Sequence, residues 1–172
     1  MFNVVQKKIC LLGDFAVGKT SLMRRFVEDR FDDKYLSTIG VKISRKTVFR
    51  PYGQLNLLVW DMTGGDDIGT QAKASYLRGA SGALVVCDLT RRETLSIFER
   101  YAQQMRTLNP QTPLVLVGNK VDLLADRGIS DTELQSIADS LGTGTFFLTS
   151  AKTGAQVDAA FLHLSEIIER QA

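Results

Sequence analysis

Residues 13–20, Gly13-Asp14-Phe15-Ala16-Val17-Gly18-Lys19-Thr20, fit the spacing G-x-x-x-x-G-K-[ST]. A chain curled at Gly13 and Gly18 can turn successive backbone N–H groups of Asp14, Phe15, Ala16 and Val17 inward, an arrangement that holds phosphate oxygens. At this spacing Lys19 spans β- and γ-phosphates, and Thr20 offers a hydroxyl to Mg²⁺. The context fits as well. The apolar run KKICLLG precedes the loop and the helical pattern TSLMRRFVED follows it, so the positive end of a helix would face the bound anion. A chance glycine turn before a helix is the bland alternative, and the flanking elements favour the phosphate loop.

A phosphate loop alone does not choose a base. Asn119-Lys120-Val121-Asp122 stands at the end of another apolar run, PLVLVGNK. A carboxylate there can accept from both N1–H and the exocyclic amine of guanine, whereas adenine presents an acceptor at N1. Leaving such a charged bond unmade costs about 1–3 kcal/mol. Ser150-Ala151-Lys152 closes the run TFFLTSAK in the same manner. Asp61, in the stretch WDMTGGDD, ends a further apolar run. A buried carboxylate at that place calls for a cation nearby.

The elements that must position these residues alternate along the chain. The short runs are KKICLLG (7–13), VKISRKTVF with LNLLVW, GALVVCDL (82–89), PLVLVGNK (113–120) and TFFLTSAK (145–152). They are near-continuous in Val, Leu and Ile, which predicts strands buried on both faces of a parallel sheet. TSLMRRFVED, ETLSIFERYAQQMRTL, TELQSIADSL and AAFLHLSEIIER carry helical spacing. Ser130 and Glu133 offer a capping box to the third of these. VKISRKTVF and LNLLVW are joined by Arg50-Pro51-Tyr52-Gly53-Gln54, too short for a helical crossover, so an antiparallel hairpin is expected. Its first strand carries Lys42, Arg45, Lys46 and Arg50, which reads either as a protected edge or as a partner-docking edge. Ligands in open α/β sheets bind at the carboxyl ends of the strands, so the motifs should converge. One α/β domain over 1–172 is expected.

Bulk properties exclude several classes. The chain has 172 residues, 44% of them hydrophobic and 23% charged, and a formal net charge of +2, so no nucleic-acid partner is expected. Cys10 and Cys87 sit in apolar runs outside any C-x-x-C pair, as free buried thiols do. No stretch has the length of a membrane-spanning helix. Phe2 excludes myristoylation and IIERQA holds no cysteine to lipidate. A soluble, cytoplasmic monomer is expected.

With these motifs placed, the chain resembles a small GTPase of the Ras superfamily, most closely its Rab branch. RFVEDRFDDKYLSTIGV and SYLRGASGALVVCDLT add to the likeness. The resemblance implies a P-loop NTPase fold, with a six-stranded, mostly parallel sheet, one antiparallel edge hairpin and about five flanking helices. It implies Mg²⁺ and GTP or GDP as cofactors, and effector, exchange-factor and activator proteins at two switches. By the same resemblance Phe31 stacks on the guanine and Tyr35 covers the phosphates. Thr20 and Thr38 are ligands of Mg²⁺, and Asp61 holds a Mg²⁺-bound water. The Gly64 N–H bonds the γ-phosphate, Ser21 donates to the α-phosphate, and Asn119, Lys120, Asp122, Ser150, Ala151 and Lys152 form the base pocket. Lys19, Thr38 and Gly64 carry the catalytic charge stabilisation.

The departures from that family are concentrated. Where it usually has Asp-Thr-Ala-Gly-Gln-Glu, this chain has Asp61-Met62-Thr63-Gly64-Gly65-Asp66. Gly65 replaces the glutamine that orients the attacking water, so intrinsic hydrolysis should be slow. Phe15 stands where a small residue is usual. Its ring could block an incoming arginine finger or shield the phosphate, or it could turn to solvent. Thr63 puts a hydroxyl near the γ-phosphate that could position water or accept a phosphoryl group, though a tolerated small-residue change is the preferred reading, and Asp66 and Asp67 read as a solvated loop. Arg78, Arg91 and Arg92 are not at positions used for a finger in cis, and no catalytic role is expected of them. The expectation is a switch cycling between GTP and GDP. The alternatives are a hydrolysis-deficient scaffold that stays GTP-bound and, disfavoured by NKVD and SAK, an ATP-using enzyme.

Overall fold

A computed structural model describes residues 2–34, 38, 40–62, 64 and 70–172, with residues 70–73 in backbone only. Among the described residues, six strands form one sheet: β1 (Asn3–Gly13), β2 (Val41–Arg50), β3 (Gly53–Met62), β4 (Gly82–Asp88), β5 (Leu114–Asn119) and β6 (Phe146–Thr149). Their order is β2-β3-β1-β4-β5-β6, and only the β2–β3 pair is antiparallel. Five α-helices among the described residues cover the sheet: α1 (Lys19–Glu28), α2 (Thr70–Leu77), α3 (Glu93–Leu108), α4 (Asp131–Leu141) and α5 (Val157–Gln171). The expected class, with its parallel sheet and edge hairpin, is the one observed.

The two-residue period of a strand divides the core. Ile9 and Leu11 of β1 point to one face, where Leu22, Met23 and Phe26 of α1 and Phe161 and Leu164 of α5 meet them. Cys10 and Leu12 point to the other, against Phe98, Tyr101 and Met105 of α3 and Leu134 and Ala138 of α4. The rings of Phe26 and Phe161 stack with centroids 4.1 Å apart, which ties α1 to α5 and so holds Lys19 and Thr20 at a fixed height above the sheet. Both cysteines are buried and free, and burial raises each thiol pKa to about 12.

Three details depart from the apolar pattern. β1 starts at Asn3, ahead of the run, because Asn3–Gln6 pair with Gly53–Asn56 of β3. The hairpin closes more tightly than the Pro/Gly stretch suggested: Arg50 already pairs with Gly53. α2 (TQAKASYL) has almost no apolar stripe and enters the core chiefly through Leu77, 3% exposed. The capping box at α4 forms as expected: the Ser130 hydroxyl accepts from the Glu133 N–H at 3.2 Å, and the Glu133 carboxylate accepts from the Ser130 N–H at 2.9 Å. β1, β3, β4, β5 and β6 run in the same direction, so Gly13, Met62, Asp88, Asn119 and Thr149 all end at one edge of the sheet.

Candidate functional site

At that edge the chain leaves β1 and curls before α1. The curl places Ala16 (φ 60°) and Gly18 (φ 104°) in left-handed backbone. Gly18 also has no room for a side chain, because a Cβ there would run into the amide of Asn119. The loop's carbonyls are held from within and from behind. Lys19, 6% exposed, donates to the carbonyls of Gly13 (3.1 Å) and Asp14 (2.9 Å). Lys120 donates to Ala16 O at 3.1 Å and Asn119 Nδ2 to Val17 O at 3.0 Å. The Phe15 N–H is taken by the carboxylate of Asp14, 2.7 Å away. Gly64 lies flat on this loop, since a Cβ there would fall 2.5 Å from Phe15 N and 2.6 Å from the Asp14 carbonyl carbon.

Beside the loop three side-chain oxygens gather from three distant segments. Thr20 stands in the first turn of α1, Thr38 ahead of β2, and Asp61 near the end of β3. The Thr20 and Thr38 hydroxyl oxygens are 2.8 Å apart, Thr20 donates to Asp61 Oδ2, and Thr38 lies 3.4 Å from the same oxygen. Asp61 is fully buried and its Oδ1 has no hydrogen-bond partner. Burial pushes its carboxyl pKa up, against the opposing pull of the Thr20 hydrogen bond and the Lys19 charge. A buried anionic oxygen lacking a partner, next to two hydroxyls, is a donor set that suits a hard oxygen-seeking cation. The residues present therefore fit Mg²⁺.

The far end of the cavity is built from the ends of β5 and β6. Asn119, 2% exposed, accepts from the Thr149 hydroxyl at 3.0 Å while its amide nitrogen holds the phosphate loop. The Ser150 hydroxyl donates to Asp122 Oδ1 at 2.8 Å, fixing that carboxylate. Arg25 of α1 reaches the carbonyls of Ala151 (2.8 Å) and Lys152 (2.6 Å). The cavity, ≈ 340 Å³, brings together Phe15, Ala16, Gly18, Lys19, Thr20, Ser21, Phe31, Thr38, Asp61, Gly64, Asn119, Lys120, Asp122, Ala151 and Lys152. Asp14, Val17 and Ser150 are not on its wall and act from behind it. Tyr35, Thr63, Gly65, Asp66 and Asp67 lie outside the described residues.

Sequence reasoning missed three residues that brace the site. Arg25 is one. Asp88, 1% exposed, accepts from Lys120 (2.8 Å), Arg91 (3.1 Å) and the N–H and hydroxyl of Thr90. Burial works against its charged form, yet the Lys120 and Thr90 hydrogen bonds prevail and its pKa lies below the ordinary carboxylate value. Arg91 also donates to the Phe15 carbonyl at 2.6 Å. Asp88 closes the run GALVVCD as Asp61 closes its own, so a buried carboxylate at a strand end was the available signal. The arginines gave none, because the carbonyls they hold, Ala151 and Lys152 for Arg25 and Phe15 for Arg91, are remote in sequence.

A glycine-flanked loop, an oxygen set for a hard cation and a braced amide–carboxylate pair, all at the carboxyl edge of a parallel sheet, define a P-loop nucleotide-binding domain. The model of the Ras family matches residues 8–170. Ras-related protein Rab-3 of Caenorhabditis elegans is 37% identical over 162 residues, covering 94% of this chain and 73% of the relative. Ras-related protein Rab-22A, from Canis lupus familiaris and from Homo sapiens, is 36% identical over 162 residues, 94% of this chain and 82% of the relative. The chain belongs to the Ras family and is Rab-like within it. It is a small GTPase, a molecular switch of a family that binds GTP or GDP with Mg²⁺, hydrolyses GTP and works through regulatory and effector partners.

Proposed function

We propose that the cavity at the carboxyl edge of the sheet is the site of this switch, that residues 1–172 form a single domain acting as a monomer, and that its intrinsic turnover is slow. The observation that carries the site assignment is Asp61, fully buried with Oδ1 unpartnered beside the hydroxyls of Thr20 and Thr38. Thr20 and Thr38, with Asp61 through water, would hold Mg²⁺, which neutralises charge on the β- and γ-phosphates. Lys19 adds a buried cation at the same corner. Asp122, oriented by Ser150, takes the Watson–Crick edge of guanine, and the Ala151 N–H completes the base pocket while Phe31 and Lys120 flank the ring. Ser21 donates to the α-phosphate, Tyr35 closes over the phosphates, and Gly64 reports the γ-phosphate through its N–H.

The slow step has a chemical ground. Phosphoryl transfer here depends on positioning and charge stabilisation, and Gly65 brings no side chain to orient water. Phe15, 43% exposed, puts a ring at the rim of the cavity. An activating partner that docks at the two switches and supplies the missing group in trans restores turnover. Family membership favours a cycling switch over a scaffold that never hydrolyses. The nucleotide that copurifies with the protein tests this directly. GDP is the expected finding, GTP alone would support the scaffold, and preferential retention of ATP would refute the base-pocket assignment.

A further inference from the structure

Five consecutive loop carbonyls are each held by a side chain. Lys19 takes those of Gly13 and Asp14, Arg91 that of Phe15, Lys120 that of Ala16 and Asn119 that of Val17. In a planar trans peptide the C=O and the next residue's N–H point in opposite directions. A carbonyl pulled back toward the body of the protein therefore turns the following N–H forward. The three carbonyls held from behind aim the N–H groups of Ala16, Val17 and Gly18 toward the cavity that Ala16 and Gly18 line.

Two of the three cations in this set meet at one carboxylate. Asp88 pairs with Lys120 at 2.8 Å and with Arg91 at 3.1 Å, and it is buried at the end of β4, where it cannot move with the loop. The anchored guanidinium and ammonium then reach adjacent carbonyls. Between them sits Ala16, a non-glycine residue at φ 60°. Left-handed backbone at such a residue is unfavourable and persists only where neighbours impose it.

We propose that Arg91 is a positioning residue for nucleotide retention: anchored on Asp88, it latches the Phe15 carbonyl, forces Ala16 into left-handed backbone, and so keeps the Ala16 N–H aimed at the phosphates. It touches no reacting atom. Losing the latch lets the Phe15–Ala16 peptide rotate, and the loop surrenders one donor without any change in the base pocket. Lys cannot replace Arg fully, because a single ammonium lacks the fork that serves Asp88 and Phe15 O together.

The proposal rests on reading this loop as the phosphate cradle, and guanine-nucleotide binding by the unaltered protein establishes that reading separately. The test is the dissociation rate of a fluorescent GDP analogue with Mg²⁺ present, for Arg91→Ala, Arg91→Lys, Ala16→Gly and the Ala16→Gly/Arg91→Ala pair. Arg91→Ala should release nucleotide about tenfold faster, the scale of one charge-assisted hydrogen bond. Arg91→Lys should fall between it and the unaltered protein, and discrimination between GDP and XDP should stay the same. With glycine at position 16 left-handed backbone carries no penalty, so loss of Arg91 should accelerate release less in that background than with alanine. An unchanged rate in Arg91→Ala would overturn the proposal, as would an equal acceleration in both backgrounds, which would mark general destabilisation. Should Arg91→Ala not fold, Arg91→Lys compared with alanine and with glycine at position 16 carries the same comparison.

Discussion

The two ends of the cavity are built differently. At the proposed base end the polar groups are braced: Thr149 holds Asn119, Ser150 holds Asp122, and Arg25 holds the carbonyls of Ala151 and Lys152. These supports come from the end of β6 and from α1. At the other end the loop is equally well held, but on the proposed reading the γ-phosphate is met by Thr38 and Gly64, which belong to no helix or strand. Base choice can be rigid because guanine is the same in both states of the cycle. The phosphate sensor must differ between them, so it cannot be welded to the sheet. Of the departures in sequence, Phe15 lines this second end, and Thr63 and Gly65 adjoin Gly64 along the chain.

The contrast can be broken most forcefully at the base. Asp122→Asn should weaken GDP binding by about 100-fold, the scale of a lost charged hydrogen-bond pair, while XDP binding improves. Competition between the two nucleotides measures this, and unchanged guanine preference would contradict a rigid base end. At the other end, Gly65→Gln should raise intrinsic hydrolysis on the order of tenfold by restoring a water-orienting amide, with GDP affinity unaltered. Single-turnover phosphate release is the readout.

A smaller effect of mixed sign is expected at Asp61. Asp61→Asn removes a buried charge, so the nucleotide-free protein should gain about 1 kcal/mol toward urea. The same change should abolish the dependence of nucleotide retention on added Mg²⁺. A loss of stability in the free protein would mean that Thr20 and Lys19 already satisfy the carboxylate. The least effect belongs to a control that does not line the cavity. The Arg92 hydrogen bond, aided by the Ser130 N–H, lowers the Glu133 pKa to about 2 from a usual 4.5. Because the folded pKa is the lower one, its contribution is present above about pH 4.5 and disappears as pH falls toward 2. Glu133→Gln should flatten the urea midpoint across that window and leave nucleotide dissociation unchanged.

How much of this was legible in the chain follows the same division. The strands and four of the helices announced themselves through apolar period. α2 did not, since TQAKASYL has no apolar stripe and its helix is imposed by the surroundings. The phosphate loop, Asn119, Asp122 and Asp61 were readable because their side-chain types and strand-end positions carry the chemistry. Arg25 and Arg91 were not, because each reaches carbonyls brought close only by folding, while Asp88 left the single signal of a carboxylate at the end of an apolar run. Arg91, of which no catalytic role is expected, bonds the Phe15 carbonyl.

On the proposed reading a sound guanine pocket is joined to a hydrolysis corner without its own water-positioning side chain. Single-turnover hydrolysis of preloaded GTP, with Mg²⁺ and no partner protein, tests it most directly. The predicted rate is on the order of 10⁻⁴ s⁻¹ or slower. A rate of about 10⁻² s⁻¹ or faster, the scale reached when an arginine is supplied in cis, would contradict it.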